Sequence, residues 1–183
     1  MKTDQIEFEQ SVESLFRGAL QAHEDPELAA VLREAGLDLA KKLAPAYPAE
    51  DFYRWLRVAA RHRFPKLDEA GGCREVGKLA MERGLRSTLI GGAVIMGMKA
   101  LGVRRSLLRV GRNLRNGNNY IEATTRELSP TSVEIQLGPV IGPAAYYEGL
   151  LEEGSRQMGA KTVQVIPTGR DGQQLTWRVD WTE

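Results

Sequence analysis

The stretch LTWRVDW at residues 175–181 decides the fold class of this chain. Polar residues alternate in it with four apolar ones, Leu175, Trp177, Val179 and Trp181. Such alternation is typical of a strand with one buried and one wet face. Val163 and Val165 indicate a strand before it, and TGRDGQQ at 168–174 supplies two glycines between the two strands. The sequence therefore predicts a hairpin whose loop is 168–174.

The segments upstream extend this hairpin to a larger unit. Val133, Ile135 and Leu137 alternate again, and Tyr120 to Leu128 is a further β-rich segment. The residues 146–158 fit a helix with an inner stripe at helical spacing, Tyr147, Leu150, Leu151, Gly154 and Met158. The order predicts a β-β-α-β-β unit over residues 119–183.

Helical spacing dominates the first two thirds of the chain. The apolar set Val12, Leu15, Phe16 and Ala19 indicates a first helix. Asp25-Pro26 resembles the cap and first turn of a second, and Gly36 divides it from a third. Later helices are expected around Trp55, after Gly71, over 88–98 and over 104–115. We predict an α+β fold in one domain (1–183): a helical layer of about six or seven helices over 1–118, then a small, mostly antiparallel sheet.

Composition bounds the cellular setting. The chain has 183 residues, a net charge of +1 and one cysteine, Cys73, so it forms no internal disulfide. Its start, MKTDQIEFEQ, lacks the apolar core of a secretory signal, and the run 88–98 is too short for a membrane span. We expect a cytoplasmic protein without a membrane span. The near-zero net charge gives no reason to expect nucleic acid as a partner.

A basic segment follows the glycine-rich run. It holds six cations and no acid between 99 and 115: Lys99, Arg104, Arg105, Arg109, Arg112 and Arg115. On a continuous helix, Arg105, Arg109 and Arg112 would share one face and could bind phosphates or carboxylates. The alternative is a solvated face whose charges pair with acids of the N-terminal third, among them Glu7 and Glu9.

Residues that could act in catalysis or bind a metal lack the additional ligands or bases that such sites need. His23 and His62 have no second ligand at metal-binding spacing beyond the unspecific acids beside His23. Cys73 has no histidine near it in sequence to act as a base. Glu152 and Glu153 are neighbours on a helix and are expected on its wet face. We therefore expect neither a metal site nor an enzyme.

Aromatic residues give the last candidate site. Tyr146, Tyr147, Trp177 and Trp181 all fall in the β-β-α-β-β unit, where helices are expected to pack over a sheet. Aromatics in that position could line an apolar ligand cavity. The alternative is that they are simply core.

An ordered set of segments carries a family resemblance. The chain resembles a large paralogous family of uncharacterised myxobacterial proteins of similar length. The resemblance implies an architecture and a bacterial cytoplasmic setting but no catalytic residues. The segments are ESLFRGAL (13–20), LREAGLDLAKKLAPAYP (32–48), Trp55, Phe64-Pro65, GLRSTLIGGA (84–93), RRSLLRVGRNLRNGNNY (104–120) and the final VDW (179–181).

A more distant similarity, at the level of the fold, links the chain to a superfamily of ligand-binding domains. It includes haem and nitric-oxide sensors and 4-vinyl-reductase-type domains, which enclose a ligand between helices and sheet. The haem sensors carry a histidine on the helix before the sheet and a Tyr-x-Ser-x-Arg motif. Here the strand has Glu122-x-Thr124-x-Arg126, and no histidine follows Cys73. We therefore expect no cofactor, and no conventional histidine-ligated haem.

These observations favour a non-enzymatic regulatory or sensory domain that binds a small apolar molecule and forms a homodimer. The alternative is an interaction adaptor that uses the basic helix Arg104 to Arg115 to hold an acidic protein partner. An enzyme ranks third.

Overall fold

A computed structural model describes residues 5–84 and 89–183 of the chain. The helices are α1 (Glu9–Val12, continued by a π-helical segment Glu13–Ala19), α2 (Pro26–Glu34), α3 (Ala49–Arg63), α4 (Glu69–Leu79, continued by a π-helical segment Ala80–Gly84), α5 (Leu89–Leu107), α6 (Val110–Leu114) and α7 (Ala144–Gln157). The strands are β1 (Ile6–Phe8), β2 (Ala46–Pro48), β3 (Glu122–Ser129), β4 (Ser132–Gly138), β5 (Thr162–Asp171) and β6 (Gln174–Thr182).

The C-terminal sheet has the order β3-β4-β6-β5, and all its neighbouring strands are antiparallel. Trp177 pairs with Ile135, and Val179 pairs with Val133, so the alternating apolar residues share one buried face. Together with α7, this sheet confirms the predicted α+β class and the β-β-α-β-β unit. The predicted loop 168–174 is shorter than expected, because the strands reach Asp171 and Gln174 and the chain turns at Gly172, whose φ is +56°.

α7 packs against both the sheet and α4, so its buried surface is wider than the predicted stripe. A Cβ atom at Gly149 would overlap the carbonyl oxygen of Arg74, which shows how closely α4 and α7 approach. The expected wet face at Glu152 is wrong: this residue is buried and pairs with the guanidinium of Arg74 at 2.9 Å. α4 supplies the cation that makes burial of this carboxylate tolerable.

The structure confirms some of the helices that the sequence predicted, but not all of them. Asp25 caps α2 by accepting a hydrogen bond from the Leu28 N–H at 3.0 Å, as its position before Pro26 predicted. The helix expected after Gly36 does not form, and residues 37–45 run as a loop. The Arg17 guanidinium donates to the carbonyl oxygens of Leu39 and Lys41 and so satisfies this irregular backbone.

The basic segment is not one helix. α5 contains Gly102 at φ +75° and ends at Leu107, and α6 begins only at Val110. The prediction that Arg105, Arg109 and Arg112 share one helical face is therefore wrong, because Arg109 lies in the turn between two helices.

Among the other cations of this segment, Arg104 forms an ion pair with Glu127 at 2.7 Å. Arg105 and Arg109 are exposed, and the side chain of Arg112 lies outside the described residues. No helix in the described ranges combines the length and apolar content needed to cross a membrane.

An additional two-stranded sheet was not predicted. β1 pairs with β2, and Glu7 lies opposite Tyr47. The Phe8 N–H donates to the Gly117 carbonyl at 2.9 Å, so β1 also contacts the segment that leads into the C-terminal sheet. This pairing carries Glu7 into the interior, between the helical layer and the β-β-α-β-β unit.

Candidate ligand-binding cavity

A cavity of about 240 Å³ lies where the helical layer meets the β-β-α-β-β unit. Its wall is built by β1, α1 and its π-helical extension, α3, the π-helical extension of α4, the end of α5, α6, α7 and β4. Most of the lining is apolar, including Leu15, Phe52, Met81, Leu107, Leu114 and Leu137. For comparison, an apolar cavity of about 150 Å³ holds a benzene molecule. The space is sufficient for a ligand with one ring and a short substituent.

α7 shapes one side of this cavity. Tyr146 and Tyr147, in its first turn, are buried and meet edge to face with ring centroids 5.5 Å apart. Further along the helix, Gly154 lines the cavity, and a Cβ atom there would lie 3.1 Å from the Met81 Cε. A side chain at Gly154 would therefore have to displace the flexible end of Met81.

The polar end of the cavity is a cluster of one carboxyl group and three phenols. The Tyr120 hydroxyl donates to Glu7 Oε1 at 2.6 Å, and the Tyr53 hydroxyl donates to the same oxygen at 3.3 Å. The Tyr53 and Tyr120 oxygens are 2.9 Å apart, and Tyr53 also bonds the hydroxyl of Tyr147. Three elements, β1, α3 and α7, and the segment before β3 thus meet in this cluster, in which Glu7 is 3% exposed.

Burial governs the electrostatics of this cluster. Loss of water raises the pKa of Glu7 to about 7, although hydrogen bonds from Tyr120, Tyr53 and Ser11 act in the opposite direction. Burial also raises the pKa of Tyr53, Tyr120 and Tyr147 above the ordinary phenol value, and the nearby Glu7 charge adds to this effect. The phenols are therefore neutral at pH 7, while Glu7 gains and loses its proton near neutrality.

The four aromatics proposed from sequence have different positions. Tyr146 and Tyr147 line the cavity. Trp177 stacks on Tyr147, with centroids 6.5 Å apart, and its indole N–H donates to Glu148 Oε1, so it lies behind the wall. Trp181 is buried on the sheet face and also does not line the cavity. The predicted assignment of the two tryptophans, Trp177 and Trp181, to the cavity wall is therefore wrong, because α7 covers the face of the sheet that carries them.

Sequence reasoning missed the polar end of the cavity. Glu7 was grouped with surface acids, although it is the buried residue of β1, while its neighbours Ile6 and Phe8 are only partly buried. Tyr53 stands among the aromatics of the helical part, with Phe52 and Trp55, and nothing in its local sequence marks its hydroxyl as part of a site. No local pattern signals this cluster, because its members are separated by up to 140 positions in sequence, from Glu7 to Tyr147.

Other candidate residues lie elsewhere. His23 lies 3.4 Å from a carboxylate oxygen of Glu24, and His62 lies 3.8 Å from one of Asp25, so neither histidine lines the cavity. Burial raises the pKa of the Cys73 thiol to about 11, which disfavours the reactive thiolate. Within the described ranges, no three His, Cys, Asp or Glu side chains come together in a metal-binding group.

Solved structures of H-NOX domains share this fold. A Tt H-NOX double variant aligns with a TM-score of 0.70 and 13% identity, covering 96% of this chain and 95% of that one. A variant of T. tengcongensis H-NOX gives 0.66 and 14%, covering 94% of each chain. An oxygen-binding H-NOX domain related to soluble guanylate cyclases, in its oxygen complex, gives 0.68 and 12%, covering 95% and 92%. The fold is therefore of the H-NOX type, as the resemblance at fold level implied.

Sequence comparison places the chain more narrowly. It belongs to the family described as protein of unknown function (DUF2378), whose model matches residues 5–182. This confirms the membership in an uncharacterised family that the ordered segments indicated. The comparison with curated proteins found no match.

The expectation that the chain takes no cofactor is corrected by these comparisons. Two solved structures with this fold are described in terms of haem, one by the modulation of its redox potential and one by its distortion. Our expectation equated a missing histidine with a missing cofactor, but phenol and thioether groups also ligate haem iron in proteins. The cavity wall presents both kinds of group, in Tyr146, Tyr147, Met81 and Met158. Its donor set is therefore compatible with an iron porphyrin.

Proposed function

We propose that this chain is a sensory domain that binds a small molecule in the cavity between its helical layer and its β-β-α-β-β unit. The observation that carries the proposal is the cavity of about 240 Å³, apolar along its sides and polar at Glu7. Ligand sites in proteins are typically mostly apolar with a few placed polar groups. A ligand there would contact both parts of the fold, so its arrival could change how they pack.

Haem is the first ligand to test, because domains with this fold are described as haem proteins. In this chain, a thioether of Met81 or Met158 would hold the iron, since the raised pKa of Tyr147 disfavours the phenolate that iron binds. A bound haem would supply an iron centre that takes a small gaseous ligand. A porphyrin is larger than the present cavity, so its uptake would require the surrounding helices to separate.

The test combines a titration with mass spectrometry. Purified protein is titrated with haemin while the Soret band is followed, and toluene is offered in parallel as a small apolar probe. Native and denaturing mass spectra recorded side by side report any co-purified ligand. We expect haemin, toluene or a co-purified small molecule to bind in the cavity. If haemin and toluene do not bind and the native spectrum shows no extra mass, the proposed function is wrong.

A cavity-filling variant ties binding to this site. Gly154→Leu places a side chain beside Met81, whose flexible end must move to admit it, and so reduces the free space of the cavity. We expect it to lose at least tenfold in affinity for the bound probe while its circular dichroism spectrum remains that of the folded protein. Gly97→Leu is the matched control, because nothing lies within 4 Å of a Cβ atom built there. Equal binding by both variants would place the ligand elsewhere.

The remaining parts of the proposal are a non-enzymatic role, a setting in the bacterial cytoplasm and a homodimeric assembly. The raised pKa of the Cys73 thiol supports the first. The native mass spectrum tests the last, since it counts subunits directly.

A further inference from the structure

Glu7 is an interior acid without a cationic partner in the described part of the chain. Its carboxyl group lies at the cavity wall and is 3% exposed. No described lysine or arginine forms an ion pair with it, whereas buried Glu152 pairs with Arg74, Lys78 and Arg156. A buried carboxylate is costly unless a cation or hydrogen-bond donors compensate it, or it binds a proton.

Counting protons shows that the cluster is one donor short. Four oxygen-oxygen contacts join Glu7, Tyr53, Tyr120 and Tyr147. The three phenols supply three protons, so an ionised Glu7 leaves one contact without a hydrogen. When Glu7 is protonated, its carboxylic acid supplies the fourth hydrogen.

We propose that Glu7 anchors a ligand that carries an ammonium group on a small apolar body. This inference rests on the proposed function of the cavity and names the ligand class. On binding, the ammonium group donates an N–H to the ionised Glu7 carboxylate and compensates its charge, and the acid proton is released to solvent. The apolar body then contacts the apolar part of the lining, which includes Leu15, Leu114 and Met158.

The surroundings favour a cation in this position. Glu7 is faced by Tyr53 of α3, Tyr120 before β3, Tyr146 and Tyr147 of α7, and Ser11 of α1. None of these groups is charged at pH 7, since burial raises the pKa of each of the four phenols. The cluster therefore offers one negative charge in a phenol-lined pocket.

The experiment compares benzylamine with benzyl alcohol, which has the same shape but no charge, and with toluene. Affinities are measured by calorimetry on the full chain, Glu7→Gln and the surface control Glu34→Gln. At pH 8 we expect benzylamine to bind the unmodified chain about tenfold more tightly than benzyl alcohol, since a hydrogen bond to a charged group contributes more than a neutral one. We expect Glu7→Gln to lose this preference while it retains toluene, and Glu34→Gln to keep it.

Proton release gives a second measurement that needs no variant. Glu7 is about half protonated at pH 7, so benzylamine should release about half a proton there, measured from the buffer dependence of the binding heat. Its affinity should fall about tenfold from pH 8 to pH 6, whereas toluene affinity stays constant.

Equal binding of the amine and the alcohol, without proton release, would overturn the ammonium proposal and leave the cavity function intact. If toluene, benzyl alcohol, benzylamine and haemin all fail to bind, the proposed function itself is wrong.

Discussion

At the scale of the residue, Glu7 links the pH of the solution to the stability of the fold. Its pKa rises from an ordinary value of 4.5 to about 7 on folding, chiefly through burial. Between these two values the folded chain binds more protons than the unfolded chain, so folding is favoured at the acidic end of the interval. Ionisation of this carboxyl group near neutral pH therefore lowers the free energy of unfolding.

This residue predicts a measurable pH dependence. We expect the contribution of Glu7 to the free energy of unfolding to be complete below about pH 4.5 and to fall by about 3 kcal/mol as the pH rises through about 7. Urea unfolding from pH 4.5 to 8 measures it. Glu7→Gln should lack this decline, because its amide does not ionise.

Glu34→Gln serves as the control, since Glu34 is exposed and should leave the slope unchanged. A slope shared by all three proteins would show that Glu7 ionises as freely in the folded chain as in the unfolded one.

At the scale of the element, the crossing of α4 and α7 depends on two glycines. A Cβ atom at Gly77 would overlap the carbonyl oxygen of Tyr146, and one at Gly149 would overlap that of Arg74. Both obstacles are backbone atoms and cannot move without shifting a helix. This close approach sets the position of α7, and therefore of Tyr146 and Tyr147 in the cavity wall.

We predict that Gly149→Ala destabilises the fold by about 3 kcal/mol, because overpacking against backbone forces the two helices apart. Gly97→Ala, also within a helix, meets nothing within 4 Å and should raise stability by about 0.5 to 1 kcal/mol through helix propensity. Denaturant unfolding of both variants checks the difference. A Gly149→Ala protein as stable as the unmodified chain would refute the close contact.

At the scale of the whole molecule, one hydrophobic core joins the helical part to the sheet. Phe16 and Trp55 of the helical layer and Trp177 of the sheet belong to the same cluster of buried residues. Each part therefore buries apolar side chains against the other. The single domain over 1–183 remains a prediction.

We predict that the chain unfolds in one transition. Trp55 reports on the helical layer, and Trp177 and Trp181 report on the sheet, so the variant Trp55→Phe and the double variant Trp177→Phe with Trp181→Phe separate the two signals. Their fluorescence midpoints, each compared with circular dichroism of the same protein, should coincide. Two separate midpoints within one protein would divide the chain into independent domains.

The sequence by itself determined the fold class and the family of this protein. Alternation in 175–181 and helical spacing around Trp55 are local patterns, set by which face of an element is buried. They can therefore be recognised without knowing which elements pack against that face. The order of such segments along the chain was enough to indicate the uncharacterised family. Asp25 capped α2 as predicted for the same reason, because a cap acts within one turn of its helix.

Tertiary structure alone decided the site. Glu7 and Glu152 resembled surface acids, and only the packing of β1 and α4 from distant parts of the chain buried them. From the sequence, Trp177 and Trp181 resemble cavity aromatics, but in the structure α7 covers the sheet face that carries them. The basic segment resembles one helix in the sequence, but in the structure it is interrupted between Leu107 and Val110. The physical reason is common to all of them: burial and pairing depend on contacts between residues far apart in sequence, and no local pattern encodes those.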